Sequence, residues 1–165
     1  IPNVDLGVWD LRVFGMVERP ARWVWSQFQG RPQVTVRSDI HCVTRWSRFD
    51  NQWRGVSFAE VMRQVAMKPA ARFAIIHAEQ GFTTNLALAE LIKDDVLFAY
   101  QHDGADLTPE HGWPLRLVVP RRYFWKSAKW VRGVELTDRD RPGFWEQNGY
   151  HNEADPWNEE RFSDW

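Results

Sequence analysis

His111-Gly112-Trp113-Pro114-Leu115-Arg116-Leu117-Val118-Val119-Pro120 is the stretch on which the reading of this chain turns. Leu115 to Val119 is an apolar run of strand length that stops at a proline, and it predicts a buried strand. Arg116 sits inside that run. A buried guanidinium is costly unless an anion is paired with it, and its planar fork suits a phosphate or a ring edge. Arg121, Arg122, Lys126 and Lys129 follow within a few residues. A strand followed by a solvated basic loop explains those four well and explains Arg116 poorly.

A second dense segment lies upstream, Ser38-Asp39-Ile40-His41-Cys42-Val43-Thr44-Arg45-Trp46-Ser47, and it holds the single cysteine of the chain. With one cysteine no disulfide forms within the chain. Polar residues crowd a position where a core cysteine would have apolar neighbours. Arg37, Arg45 and Arg48 are close in sequence, and cationic neighbours favour the thiolate. Thiolate is a soft metal ligand. One cysteine does not make a structural zinc site, so a metal here would draw most of its donors from a cofactor. On the residues alone three readings stay open: a buried small hydrophobe, a nucleophile and a metal ligand.

Working outward, Val8 to Val17 reads as a strand ending before Glu18-Arg19-Pro20, and Gln33 to Val36 as a second. Ser57-Phe58-Ala59-Glu60 is a capping box opening a helix with the apolar stripe Phe58, Val61, Met62 and Val65, stopped by Pro69. Arg72 to His77 predicts a strand. Leu86 to Ile92 shows a short helical pattern with Asn85 as its N-cap. Val96 to Tyr100 is apolar and leads into an Asp103-Gly104 turn, and Trp130 to Leu136 reads as a further strand. The sum is an α+β domain dominated by short strands. From Thr137 onward periodicity stops, yet Phe144, Trp145, Tyr150, Trp157, Phe162 and Trp165 follow. Disordered tails are poor in aromatics, so residues 137–165 are expected to form an ordered C-terminal arm on a single domain, 1–165.

The bulk numbers bound the function. The chain has 165 residues, 44% hydrophobic and 26% charged, with a net charge of −1. That fits one globular domain and supplies no field that would steer nucleic acid. No stretch approaches the roughly 20 apolar residues of a membrane span. No signal peptide or twin-arginine leader is visible, so a cytoplasmic location is preferred, with the periplasm open if a leader has been removed ahead of Ile1. Eleven tryptophans stand out. Packing is the first reading, and flat walls around a flat ligand the second. A Trp-rich module that stacks sugar or single-stranded nucleic acid, or an idle pterin carrier, is the non-enzyme alternative.

Taken together, the two dense segments resemble one family. His41-Cys42-Val43-Thr44, with Trp46-Ser47, looks like the molybdenum-ligand loop of sulfite-oxidase-like proteins of the short bacterial and archaeal branch. The stretch from His111 to Pro120, then Ser127-Ala128-Lys129-Trp130, is similar to that family's pterin-phosphate segment. Phe144-Trp145, Tyr150-His151-Asn152 and Asp155-Pro156-Trp157 resemble the tail of the same branch. The likeness covers nearly the whole chain in the right order.

The resemblance implies a β-rich α+β molybdenum-cofactor domain. The cofactor it implies is molybdenum held by one molybdopterin, whose dithiolene supplies two sulfurs while Cys42 supplies a third. By the same resemblance His111 and Arg116 hold the pterin and its phosphate. Ser127, Ala128 and Lys129 close over the cofactor, partly by backbone N–H groups, and His77 lies in a loop that touches it in relatives. Tyr150 matches a substrate-pocket tyrosine. Eukaryotic sulfite oxidases carry paired arginines a few residues past the cysteine, and here Arg45 and Arg48 stand at shifted spacing. This chain shows no counterpart of the family's cofactor-binding stretch ahead of the first strand, nor of the haem and dimerisation domains of some relatives. The activity implied is oxygen-atom transfer on a small sulfur-centred substrate, either sulfite oxidation or sulfoxide reduction, including that of oxidised methionine. Cys42, Tyr150, Arg45 and Arg48 are the expected catalytic residues. The expected partners are a small oxyanion or sulfoxide and an external haem or quinone-linked electron carrier.

Overall fold

The structure, a computed structural model, describes residues 1–41, 47–120 and 127–140, with only the backbone described at 39–41 and 47–50. Two sheets organise it. The first has the order β2-β1-β10-β5-β6, built from β1 (Asp10–Gly15), β2 (Ala21–Val24), β5 (Phe73–Ala78), β6 (Thr83–Ala87) and β10 (Val131–Thr137). Its β1–β10 pair is parallel and its other pairs antiparallel. The second runs β3-β4-β7-β8, from β3 (Val34–His41), β4 (Ser47–Ser57), β7 (Leu97–His102) and β8 (Ala105–Asp106), and β9 (Arg116–Val118) also pairs with β7. Three short helices connect them: α1 (Trp25–Gln29), α2 (Phe58–Arg63) and α3 (Leu88–Leu91). The strand-rich α+β class expected from the sequence is the one observed.

Side-chain alternation explains how the sheets pack. In β1, Leu11 and Val13 point into the main core while Arg12 and Phe14 face outward. The second sheet is apolar on both faces. Val56 and Phe98 join the main core with Leu115 and Leu117, whereas Trp53, Leu97, Ala99 and Val118 form a smaller cluster with Leu107 on the opposite face. β9 therefore alternates, Leu117 on one side and Arg116 and Val118 on the other, which is why its sequence reads as a continuous apolar run. At Gly55 the strands β4 and β7 come so close that a Cβ would lie 1.9 Å from the Phe98 carbonyl oxygen. Only glycine fits there.

Several sequence expectations are corrected. Ser57 does cap α2, its hydroxyl accepting from the Glu60 N–H. The helix ends at Gln64, well before Pro69, because the Val65 and Ala66 carbonyls accept from Arg19 and Glu18 in the β1–β2 connection. Asn85 is not an N-cap. It lies inside β6 opposite Ile75, buried, and its amide donates to the Asp140 carboxylate. Helix α3 starts after Ala87 with no side-chain cap. Leu88, Leu91 and Ile92 have helical spacing, but Thr83–Ala87 pairs with Phe73–His77, and that pairing overrides the extension of the helix back to Leu86. Strands β2 and β4 carry no clear sequence signal. The last described strand ends at Thr137, where the periodicity stops, and the arm expected over 137–165 lies outside the described residues beyond Asp140.

Candidate functional site

Arg116 is the organising residue. It is 1% exposed on the inner side of the small apolar cluster. Its Nη1 donates to the His111 carbonyl at 2.9 Å and its Nη2 to the Ser127 carbonyl at 2.9 Å. Its guanidinium carbon stands 5.5 Å from the centre of the Trp53 ring. Burial pushes its pKa down to about 9, so the group stays cationic at neutral pH. Its two carbonyl partners tie the turn before β9 to the segment that returns beside it. That segment is further fixed by Leu117 N–H donating to the Ala128 carbonyl and Val119 N–H to the Ser127 hydroxyl.

Lys129 closes the group. Its Nζ donates to the Glu110 carbonyl at 2.8 Å and lies 5.6 Å from the Trp130 ring centre. Burial, and then the charge of Arg116, push its pKa down. Two cations held this close in a partly dry setting favour an anion between or beside them. His111 stands exposed on the adjoining 3-10 turn, its Nδ1 sharing a 2.7 Å hydrogen bond with the Thr108 hydroxyl. Trp130 donates its indole N–H to the Pro109 carbonyl, pinning the same turn.

Gly112 sets the spacing. With φ at +110°, it would place a Cβ 3.1 Å from Arg116 Cβ and 3.2 Å from Lys129 Cβ. The backbone is thus drawn tight against both cationic side chains, as an anion cradle needs. A phosphorylated ligand fits this donor set: an imidazole on the turn, a guanidinium on β9 and an ammonium on the segment that returns beside it.

The structure therefore brings together His111, Arg116, Ser127, Ala128 and Lys129. It places His77 elsewhere, in strand β5 rather than a loop. The His77 Nε2 donates to Glu135 Oε1 at 3.0 Å and its ring stacks on Phe14 at 5.7 Å, partners that do not belong to the cluster. Cys42, Arg45 and Tyr150 lie outside the described residues, as does the Arg48 side chain. The strands on either side of Cys42 are described: β3 ends at His41 and β4 begins at Ser47, paired to each other, in the sheet that also carries Arg116. Trp53 and Gly112 are the contributors that sequence reasoning did not single out. Gly112 stood within the quoted motif; nothing in the sequence pointed to Trp53. Among the described residues no group of three or more His, Cys, Asp or Glu side chains could hold a metal.

The fold and this cluster define a cofactor-binding oxidoreductase domain. The family model for the oxidoreductase molybdopterin binding domain matches residues 1–145, and the chain belongs to that family. Its cofactor is molybdopterin carrying molybdenum. A protein of Bacillus subtilis (strain 168) described as the uncharacterized oxidoreductase YuiH is 47% identical over 159 residues, covering 96% of this chain and 80% of the relative. The protein-methionine-sulfoxide reductase catalytic subunit MsrP of Gluconobacter oxydans is 25% identical over 171 residues, covering 90% of this chain and 54% of that protein. The sulfane dehydrogenase SoxCD from Paracoccus pantotrophus superposes with a TM-score of 0.79 at 19% identity, over 90% of this chain and 42% of its own, a likeness of fold. Among the described residues no helix is long and apolar enough to cross a membrane.

Proposed function

We propose that this oxidoreductase performs oxygen-atom transfer on a small sulfur-centred substrate. The observation that carries the reading is the convergence of Arg116, Lys129 and His111 around Gly112. Lys129 would meet the phosphate of the pterin with a charge-assisted hydrogen bond, Arg116 would add its charge from beneath, and His111 would flank it. The Arg116–Trp53 contact keeps the guanidinium aimed without exposing it to water. Cys42, which lies in sequence between the paired strands β3 and β4, is the proposed thiolate ligand to molybdenum. When bound, the cofactor supplies two-electron oxygen-atom transfer, which no side chain provides. Arg45, Arg48 and Tyr150 line the substrate side and offer charge and hydrogen bonds to an S–O group. Electrons pass to or from an external haem or quinone-linked carrier.

The likeness to a methionine-sulfoxide reductase supports a second direction, reduction of a sulfoxide at the same centre. Protein made in a host that synthesises molybdopterin, assayed for metal and then against sulfite and a panel of sulfoxides, tests both. Molybdenum equimolar with chain and turnover of a sulfur compound in either direction are the expected results. Cys42→Ser is expected to abolish turnover while pterin stays bound, because the phosphate grip lies elsewhere. Normal turnover by that variant removes Cys42 as the ligand, and molybdenum-loaded protein inert to the whole panel overturns the substrate class.

A further inference from the structure

We propose that Arg12 and Arg22 form an anion-binding site on the outer face of the first sheet, taking a carboxylate or phosphate group. The two residues are directly opposite each other on the antiparallel strands β1 and β2. Like charges at such a position repel and destabilise the pair unless something negative sits with them. The protein supplies one such group, Asp10, which is buried beneath them. Arg12 Nε donates to Asp10 Oδ2 at 2.9 Å, and Arg22 Nε donates to the same oxygen at 2.7 Å.

The charges do not cancel. A third arginine, Arg132, takes the other oxygen, Oδ1, at 2.7 Å, and also the Asp10 carbonyl. Arg132 is itself balanced by Glu79 at 2.6 Å. Among the described residues two carboxylates, Asp10 and Glu79, thus face three arginines, and the wall carries an excess of positive charge. Anchoring Asp10 would need only one of them. Burial opposes ionisation of Asp10, but the hydrogen bonds from Arg132, Arg22 and Arg12 outweigh it and hold the carboxyl well below the usual carboxylate range. Asp10 is therefore a fixed negative post at any physiological pH, and it orients both forks.

The geometry leaves those forks available. Both arginines spend Nε on Asp10, and among the described residues their terminal nitrogens donate no hydrogen bond to the protein. Their side chains are 64% and 55% exposed. They line an open cavity of about 630 Å³ together with Val13, Phe14, Pro20 and Ala21. Two guanidinium forks beside the exposed Phe14 and Pro20 side chains suit an oxyanion attached to a small apolar body. The same oxyanion could arrive free, as phosphate or a small carboxylate, or on an acidic side chain of another protein. The site is distinct from the Arg116–Lys129 cluster and does not depend on the substrate proposed above.

The test is calorimetric titration of the molybdenum-loaded protein at low ionic strength with three probes: inorganic phosphate, succinate, and a capped Glu-Phe-Glu tripeptide. The comparison proteins are Arg22→Gln and the double variant Arg12→Gln/Arg22→Gln. These surface changes leave Arg132 on Asp10, and thermal melting verifies that the variants are folded. Saturable binding of at least one probe is expected, weakened on the order of tenfold by Arg22→Gln and further by the double variant. It is also expected to weaken with added salt. Phosphate or succinate binding as tightly as the peptide identifies a free anion as the ligand; peptide binding alone identifies a partner's acidic side chain. Absence of saturable heat with all three probes overturns the proposal, as does equal affinity in the wild type and the double variant.

Discussion

The guanidinium carbon of Arg116 lies 5.5 Å from the centre of the Trp53 ring, reached across strand β7, which pairs with β4 on one side and β9 on the other. A desolvated cation over an indole face is stabilised by about 2 kcal/mol. The contact substitutes for water that the buried guanidinium has lost, and it fixes the plane of the fork. Trp53→Ala is expected to cost roughly 3–5 kcal/mol of stability, from lost burial and the cavity left behind. It is also expected to lower pterin content, measured by fluorescence after release of the cofactor. Trp53→Phe keeps a ring and is expected to retain most of the pterin. Equal pterin content in the Ala and Phe variants would remove Trp53 as a positioning residue for Arg116.

Gly112 offers a sharper test of the cradle. Alanine there meets two separate penalties: a left-handed φ of +110° and Cβ contacts of 3.1 Å to Arg116 and 3.2 Å to Lys129. Gly104 shares the first penalty, with φ at +85°, but a Cβ there meets nothing within 4 Å. Backbone strain alone costs about 1–3 kcal/mol at either position. Gly112→Ala is therefore expected to lose stability beyond Gly104→Ala and to lose pterin, while Gly104→Ala keeps its pterin. Denaturant unfolding and pterin assay of the two variants side by side check this. Matching pterin content in both would mean that Arg116 and Lys129 are not set by Gly112.

Much of this was legible beforehand, for physical reasons that differ from element to element. The apolar run at Leu115 to Val119 announced a strand buried on both faces, and Arg116 announced itself as a misfit within it. β4 was not legible because its buried residues, Asn51 and Trp53, alternate with Gln52 and Arg54 and include a buried polar side chain. Asn51 accepts from His102 Nε2 at 2.8 Å, a partner 51 positions away that no local pattern foretells. The pattern put His77 in a strand, where it lies, while the resemblance put it in a loop; its partner Glu135 is likewise distant in sequence. The cluster His111–Lys129 was recognisable because its members are close along the chain. Trp53 joins it only through the β4–β7 pairing.

Asp10 ties acid stability to the first sheet. Its folded pKa is depressed, so its contribution is fully present above the ordinary carboxylate pKa of about 4 and is lost as pH falls through the lower folded value. Asp10→Asn leaves Arg12, Arg22 and Arg132 without their shared anion, and is expected to cost about 3 kcal/mol at pH 7. The gap between wild type and variant is expected to stay constant from pH 7 down to about pH 5 and then to narrow as the Asp10 carboxylate of the unfolded wild-type chain takes up a proton that the folded one does not. Urea unfolding from pH 7 to pH 3 measures this. A gap that widens with acid would contradict the assignment of Asp10 as a permanently ionised anchor.

The last prediction concerns sulfite. A sulfite site holds a dianion beside molybdenum, and arginine forks are the strong way to do so. The cations assigned to that role are Arg45 and Arg48, three and six positions past Cys42. Arg48 has a place in β4, paired with Ile40, while Arg45 falls between the strands. Their spacing differs from that of the paired arginines in eukaryotic sulfite oxidases, and a dianion needs two such forks together. Weak sulfite oxidation is expected, with a neutral sulfoxide turned over more readily because it needs hydrogen bonds rather than charge balance. Arg45→Ala is expected to lower kcat/KM for sulfite on the order of tenfold or more, and added salt is expected to lower it as well. Sulfoxide turnover is expected to change little in either experiment. Vigorous sulfite oxidation indifferent to both Arg45→Ala and Arg48→Ala would sink this account of the pocket, and it would leave the proposed role of Arg116 and Lys129 toward the cofactor untouched.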